Sequence, residues 1–143
     1  MKPEVLIING PNLNLTGRRE PGIYGTRPLD DYLAELAAEE ADITVTTFQS
    51  NHEGALIDKL HERGFDPEVK GIILNAGAYT HTSLALADAI RAISVPVIEV
   101  HISNTAAREP ERHRSLIAPA CRGTIAGFGL DSYRIALEAV KRL

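Results

Sequence analysis

The sequence predicts an α/β protein, a parallel sheet between two layers of helices, and three observations carry that prediction. Five short apolar, β-branched runs recur along the 143 residues, separated by helical spacing or turn-rich segments. Strands alternating with helices imply right-handed crossovers, hence parallel pairing with helices on both faces. Polar side chains also collect at the carboxyl ends of these runs, where open α/β sheets hold their ligands.

Glu4 to Asn9 reads as a central strand, apolar on both faces and broken by Gly10-Pro11. The segment from Asn12 to Gly25 has no period of either kind; its three glycines and Pro21 mark it as a long binding loop containing Arg19 and Tyr24. Pro28 opens a helix with Asp30 and Asp31 in its first turn and an inner stripe of Leu29, Tyr32, Leu33, Leu36 and Ala37. Ile43 to Phe48 alternates as a second strand. Ser50-Asn51-His52-Glu53 resembles a capping box for a helix with a core face of Leu56, Ile57 and Leu60, ending near Gly64.

Lys70 to Asn75 forms the third strand and ends on an amide; a loop then leads into a helix with Leu86, Ala89, Ile90 and Ile93 inward and Asp88 off the stripe, as a solvated carboxylate. Pro96 to Asn104 is the fourth strand. Period-2 geometry sends Glu99, His101 and Ser103 to one face and Val100 and Ile102 to the other. Thr105 to Ser115 reads as a short helix or ordered loop rich in arginine, Gly123 to Phe128 as a fifth strand, and Asp131 as the cap of a closing helix with Tyr133, Ala136, Leu137 and Val140 inward. Five strands so connected give the flavodoxin-like three-layer sandwich, order 2-1-3-4-5, with its ligand crevice at the switch between strands 1 and 3. Residues 1–143 are expected to form a single domain with a mobile lid loop at about 16–27.

A net charge of −4 with three Phe and four Tyr argues against a nucleic-acid surface. Four of the fifteen basic residues are lysine, which leaves eleven arginines, and these gather at Arg18-Arg19 and at Arg108, Arg112 and Arg114. Arginine forks suit a small carboxylate or phosphate ligand. The one cysteine, Cys121, fits a reducing compartment, and no apolar run reaches the ~18 residues of a membrane span, so a cytoplasmic protein is expected.

Absent motifs narrow the chemistry. There is no Gly-x-x-x-x-Gly-Lys-Ser/Thr loop and no Gly-x-Gly-x-x-Gly after the first strand, no metal-ligand spacing, and no lysine at a strand's carboxyl end for a Schiff base. Neither cofactor nor metal is expected. What remains is acid–base chemistry: a lid tyrosine beside guanidinium charge can act as base, a histidine buttressed by glutamate can donate a proton, and amides can hold a water or an oxyanion. These parts suit elimination of water next to a carbonyl. A flavodoxin-like binding module without turnover is the alternative, against which the presence of Tyr24, Arg19 and His101 together argues.

Over essentially its whole length the chain resembles type II 3-dehydroquinate dehydratases. The resemblance rests on Asn9-Gly10-Pro11-Asn12-Leu13-Asn14, Gly17-Arg18-Arg19-Glu20-Pro21 with Tyr24-Gly25, Gln49-Ser50-Asn51-His52-Glu53-Gly54, Leu74-Asn75-Ala76-Gly77 with Thr80-His81-Thr82-Ser83, and Glu99 to Asn104 with Ala107-Arg108-Glu109. It implies dehydration of 3-dehydroquinate to 3-dehydroshikimate through an enolate, without metal or imine, in the shikimate pathway of aromatic amino acid biosynthesis or in quinate breakdown. By the same resemblance Tyr24 is the base, Arg19 its activating lid partner, Asn12 the holder of a water that supports the enolate, and His101 the acid oriented by Glu99. Asn75, the Ile102 backbone and Ser103 would bind the substrate carboxylate, with His81, Arg112 and Arg108 among the substrate contacts. Asp88 would reach a neighbouring subunit's site in a homododecamer built from trimers. Ala106, Glu111, Arg114 and Leu116 depart from the residues that family members often carry, respectively His, an aromatic, His and Tyr.

Overall fold

The computed structural model describes residues 2–143. Five parallel strands, β1 (Glu4–Asn9), β2 (Thr44–Gln49), β3 (Val69–Asn75), β4 (Val97–His101) and β5 (Gly123–Ala126), form one sheet in the order β2-β1-β3-β4-β5. Around it lie α1 (Pro21–Tyr24), α2 (Leu29–Glu39), α3 (Glu53–Arg63), α4 (Leu84–Ala92) and α5 (Asp131–Lys141). The expected strand order is the observed one.

Strict alternation divides the core in two. Val5, Ile7, Ile73, Ile98 and Val100 face Leu33 and Leu36 of α2 and Tyr133, Leu137 and Val140 of α5. Leu6, Ile8, Ile72, Leu74 and Val97 face Leu56 and Leu60 of α3 and Leu86 and Ile90 of α4. β1 and β3, covered on both faces, are the apolar runs that the sequence displays, whereas β2 is an edge strand with no fully buried residue.

Several boundaries differ from expectation, each for a local reason. β2 is shifted one residue, because Ile43 is buried against the α2 layer while the ladder begins with Thr44 opposite Glu4. β5 stops at Ala126 because Gly127 adopts φ 97°, which turns the chain and leaves Phe128 exposed. β4 stops at His101; Asn104 leaves the strand and its side chain accepts the Ala106 N–H at 3.2 Å to start a 3-10 turn, Thr105–Ala107, followed by a second at Pro110–Arg112.

The capping-box expectation is corrected. α3 begins at Glu53 with His52 as N-cap, so Ser50 lies too far upstream to cap it, and its hydroxyl instead accepts the His52 N–H at 3.0 Å. Asp131 is likewise not a cap but the first residue of α5, where its carboxylate accepts the Tyr32 hydroxyl at 2.8 Å. The segment from Asn12 to Gly25 is also more regular than its composition suggests. It holds a 3-10 turn at Leu13–Leu15 and the single helical turn of α1, with Pro21 at its first position and Glu20 in the left-handed region at φ 43°.

Candidate active site

Parallel pairing puts three amides in one row at the carboxyl edge of the sheet, since Asn9 of β1 stands opposite both Gln49 of β2 and Asn75 of β3. One register further, Leu74 pairs with Glu99 of β4, and Glu99 with Thr124 of β5. Above this edge lies a cleft lined among others by Asn12, Arg19, Tyr24, Asn75, His81 and His101. Ile102, Ser103, Arg108 and Arg112 complete its far wall.

The floor holds a buried carboxyl–imidazole pair. Glu99 is 1% exposed and His101 7%, and His101 Nε2 lies 2.5 Å from Glu99 Oε2. A carboxylate this far from water must be satisfied by neighbours. Ser115 Oγ donates to it at 2.9 Å and Thr124 Oγ1 at 3.3 Å. Because Ser115 Oγ itself accepts the Ala118 N–H at 3.0 Å, its one proton is directed at Glu99. Glu99 occupies Nε2 of His101, which leaves Nδ1 as the nitrogen available to a ligand.

Tyr24 lines the same cleft from the end of α1. Arg108 Nη1 donates to the Tyr24 hydroxyl at 2.9 Å and to Ser103 Oγ at 3.2 Å. The guanidinium carbons of Arg19 and Arg108 lie 4.8 Å and 5.3 Å from the centre of the Tyr24 ring. Arg19 therefore stands over the ring face while Arg108 meets the oxygen. The His113 ring donates from Nε2 to the Arg108 carbonyl at 2.7 Å and steadies that turn.

Asn75 is fixed from behind. Tyr133, fully buried on α5, donates its hydroxyl to Asn9 Oδ1 at 2.5 Å and accepts from Asn75 Nδ2 at 2.9 Å, while Asn75 Oδ1 accepts the Gly77 N–H at 3.2 Å. Burial pushes the Tyr133 phenol well above its ordinary range, so it stays a neutral donor. His81 Nδ1 lies 2.7 Å from the Arg114 carbonyl, which can only accept; Nδ1 therefore carries the proton and Nε2 is left for a ligand. Arg112 lines the cleft and pairs with Glu109 at 2.8 Å.

Asp88 is the one proposed site residue that the fold keeps away. It sits on the outer face of α4, largely exposed, with Arg91 at 3.9 Å, and does not line the cleft. Ser115, Thr124 and Tyr133 escape a reading of the sequence, because the first lies in an irregular arginine-rich segment and the other two look like strand and core residues; the pairing of Glu99 with Thr124 becomes visible only once the strand register is known. The departures at Arg114 and Leu116 involve backbone contacts: the Arg114 carbonyl holds His81, and the Leu116 N–H donates to the Thr80 carbonyl at 2.9 Å.

Among the described residues no group of three or more His, Cys, Asp or Glu is arranged to hold a metal ion, and no helix is long and apolar enough to cross a membrane. The family model described as Dehydroquinase class II matches residues 3–141. The 3-dehydroquinate dehydratase of Rhizobium johnstonii is 54% identical over 145 residues, covering 100% of this chain and 99% of that protein. Among solved structures, the type II dehydroquinase of Propionibacterium acnes superposes with a TM-score of 0.93 at 40% identity over 100% of this chain and 99% of that one. The type II dehydroquinase of Butyrivibrio crossotus gives 0.92 at 44% identity over 98% of each.

Proposed function

Because the chain belongs to the dehydroquinase class II family, we propose that it is a lyase that dehydrates 3-dehydroquinate to 3-dehydroshikimate, serving the shikimate pathway or quinate breakdown. The observation that carries the reading of the chemistry is the convergence of two proton-handling groups on one cleft: Tyr24, its oxygen held by Arg108, and the buried Glu99–His101 pair.

In this reading Tyr24 removes the C2 proton, with Arg19 and Arg108 stabilising the phenolate, and an enolate forms at the neighbouring carbonyl. Asn12 holds the water that supports the enolate oxygen. His101, oriented by Glu99, protonates the C1 hydroxyl as it leaves, so the elimination is anti and proceeds through two separate proton transfers. Asn75, the Ile102 backbone and Ser103 bind the carboxylate; His81, Arg112 and Arg108 meet the remaining polar groups. The chain supplies its own acid, base and electrostatic stabilisers, and neither a metal nor an imine enters the scheme.

Residues 1–143 act as a single catalytic domain in which about 16–27 form a mobile lid carrying the base. Asp88, remote from its own cleft, completes the site of a neighbouring subunit in a homododecamer built from trimers. The single cysteine and the lack of any membrane-crossing helix among the described residues favour a cytoplasmic enzyme.

Purified protein mixed with 3-dehydroquinate should generate a conjugated enone seen by its near-ultraviolet absorbance, unaffected by chelator or borohydride. No absorbance change sinks the assigned activity, and loss of activity with either reagent sinks the mechanism. Tight binding of 3-dehydroquinate without product would instead identify a binding module.

A further inference from the structure

The motif Gln49-Ser50-Asn51 lies at the carboxyl end of edge strand β2 and contributes nothing to the cleft lining, yet it touches the loop that does. Asn12 sits in the left-handed region at φ 68°, ψ −3°, a conformation that asparagine tolerates better than most residues with a side chain but that its backbone contacts still have to select. Its side chain makes no capping bond of its own, which leaves that amide free at the mouth of the cleft. Its backbone N–H donates to Asn51 Oδ1 at 3.0 Å, and its carbonyl accepts the Leu15 N–H at 3.0 Å.

Asn51 is itself held from two directions. Gln49 Nε2 donates to Asn51 Oδ1 at 3.2 Å and to the Gly10 carbonyl at 3.1 Å, tying the start of the same loop to the same strand end. The Tyr79 hydroxyl donates to the Asn51 carbonyl at 2.9 Å. On its inner side the loop abuts the β3 exit: Gly10 N–H donates to the Asn75 carbonyl at 2.8 Å, and a Cβ at Gly10 would come within 2.6 Å of the Ala76 carbonyl oxygen. The loop is thus gripped between a backbone packed against Ala76 and a side-chain clip from β2.

We propose that Asn51, braced by Gln49, is a positioning residue that holds Asn12 in its left-handed conformation and so aims the Asn12 amide into the cleft. This rests on the reading of Asn12 as the residue that supports the enolate. The acceptor oxygen at position 51 is what matters, since it serves the Asn12 N–H and the Gln49 amide together; a residue of the same size without that oxygen releases the loop, and a carboxylate in its place keeps it.

The test compares Asn51→Leu and Asn51→Asp with Asn12→Ala and the double variant Asn12→Ala/Asn51→Leu, measuring kcat and KM for 3-dehydroquinate and the thermal midpoint of each. Asn51→Leu should lose kcat by about tenfold, as expected for a displaced catalytic-site group, with KM within about twofold. Asn51→Asp should retain most of the activity, and Asn51→Leu should cost nothing further once Asn12 is alanine. Wild-type kcat in Asn51→Leu, equal losses in the Leu and Asp variants, or additive losses in the double variant overturn the clip while leaving the catalytic reading intact. An Asn12→Ala variant with wild-type kcat overturns the reading of Asn12 itself and the clip with it. Should Asn51→Leu not fold, Asn51→Ala takes its place with the same expectations.

Discussion

The hydroxyl of Tyr133 accepts a hydrogen bond from the side-chain amide of Asn75 at 2.9 Å, and this contact determines which way round Asn75 faces the cleft. Tyr133 has one proton, which it gives to Asn9; it can only accept from Asn75, so the Asn75 nitrogen must point at it. One further N–H of that nitrogen is then left for substrate.

Tyr133→Phe removes this constraint and strands two buried amides. The expected cost is about 1–3 kcal/mol of stability, from leaving donor and acceptor unpaired, together with a rise in KM as Asn75 loses its fixed orientation. Urea unfolding and steady-state kinetics on one preparation check both; an unchanged KM would remove Asn75 from substrate binding.

Tyr24→Phe deletes the proposed base while leaving the ring between Arg19 and Arg108. Turnover should fall at least about 10²-fold with the thermal midpoint nearly unchanged. Enone formation at a rate near that of the parent would reassign the base.

Glu99→Gln replaces a buried acceptor of three side-chain donors with an amide that brings donors of its own. The amide nitrogen meets either His101 or the Ser115 hydroxyl, so kcat should drop by about 10-fold to 10³-fold, and Ser115→Ala should show the same direction at smaller size. Parallel kcat measurements on the two variants test this ordering.

Cys121 offers a pH test. Burial, with the Glu99 charge adding to it, pushes its thiol from 9.0 up to about 12. The native state thus keeps the proton that the unfolded chain releases first, so the stabilisation is complete below pH 9.0 and is lost as pH rises toward about 12. Over that window the slope is about 1.4 kcal/mol per pH unit, and the buried Tyr133 adds a loss of the same sign above its ordinary value of 10.0. Cys121→Ala should flatten the fall in urea midpoint across the first part of this range.

How far the sequence foretells the molecule depends on whether a signal is local. The bounds of β1 are legible because an apolar run ends at Gly10-Pro11, and Glu99 and His101 share a face because two residues in a strand always do. The Ser50 error arises because a hydroxyl three residues before a glutamate suits a capping box and a tight turn equally, and only the helix start distinguishes them. Arg108 on Tyr24 spans 84 positions and Tyr133 on Asn9 spans 124; no period or spacing encodes such contacts, which exist only once the sheet order is set.

The amide row of Asn9, Gln49 and Asn75 ties function to strand alignment. Slipping β2 or β3 by one position against β1 would turn its amide to the opposite face of the sheet and carry the attached loop with it. Other aliphatic side chains can partly rebuild the core after such a slip, but the cleft is lost. Turnover consequently serves as a readout of β-ladder alignment, sensitive to misfolded yet compact chains that spectroscopy of secondary structure would score as native.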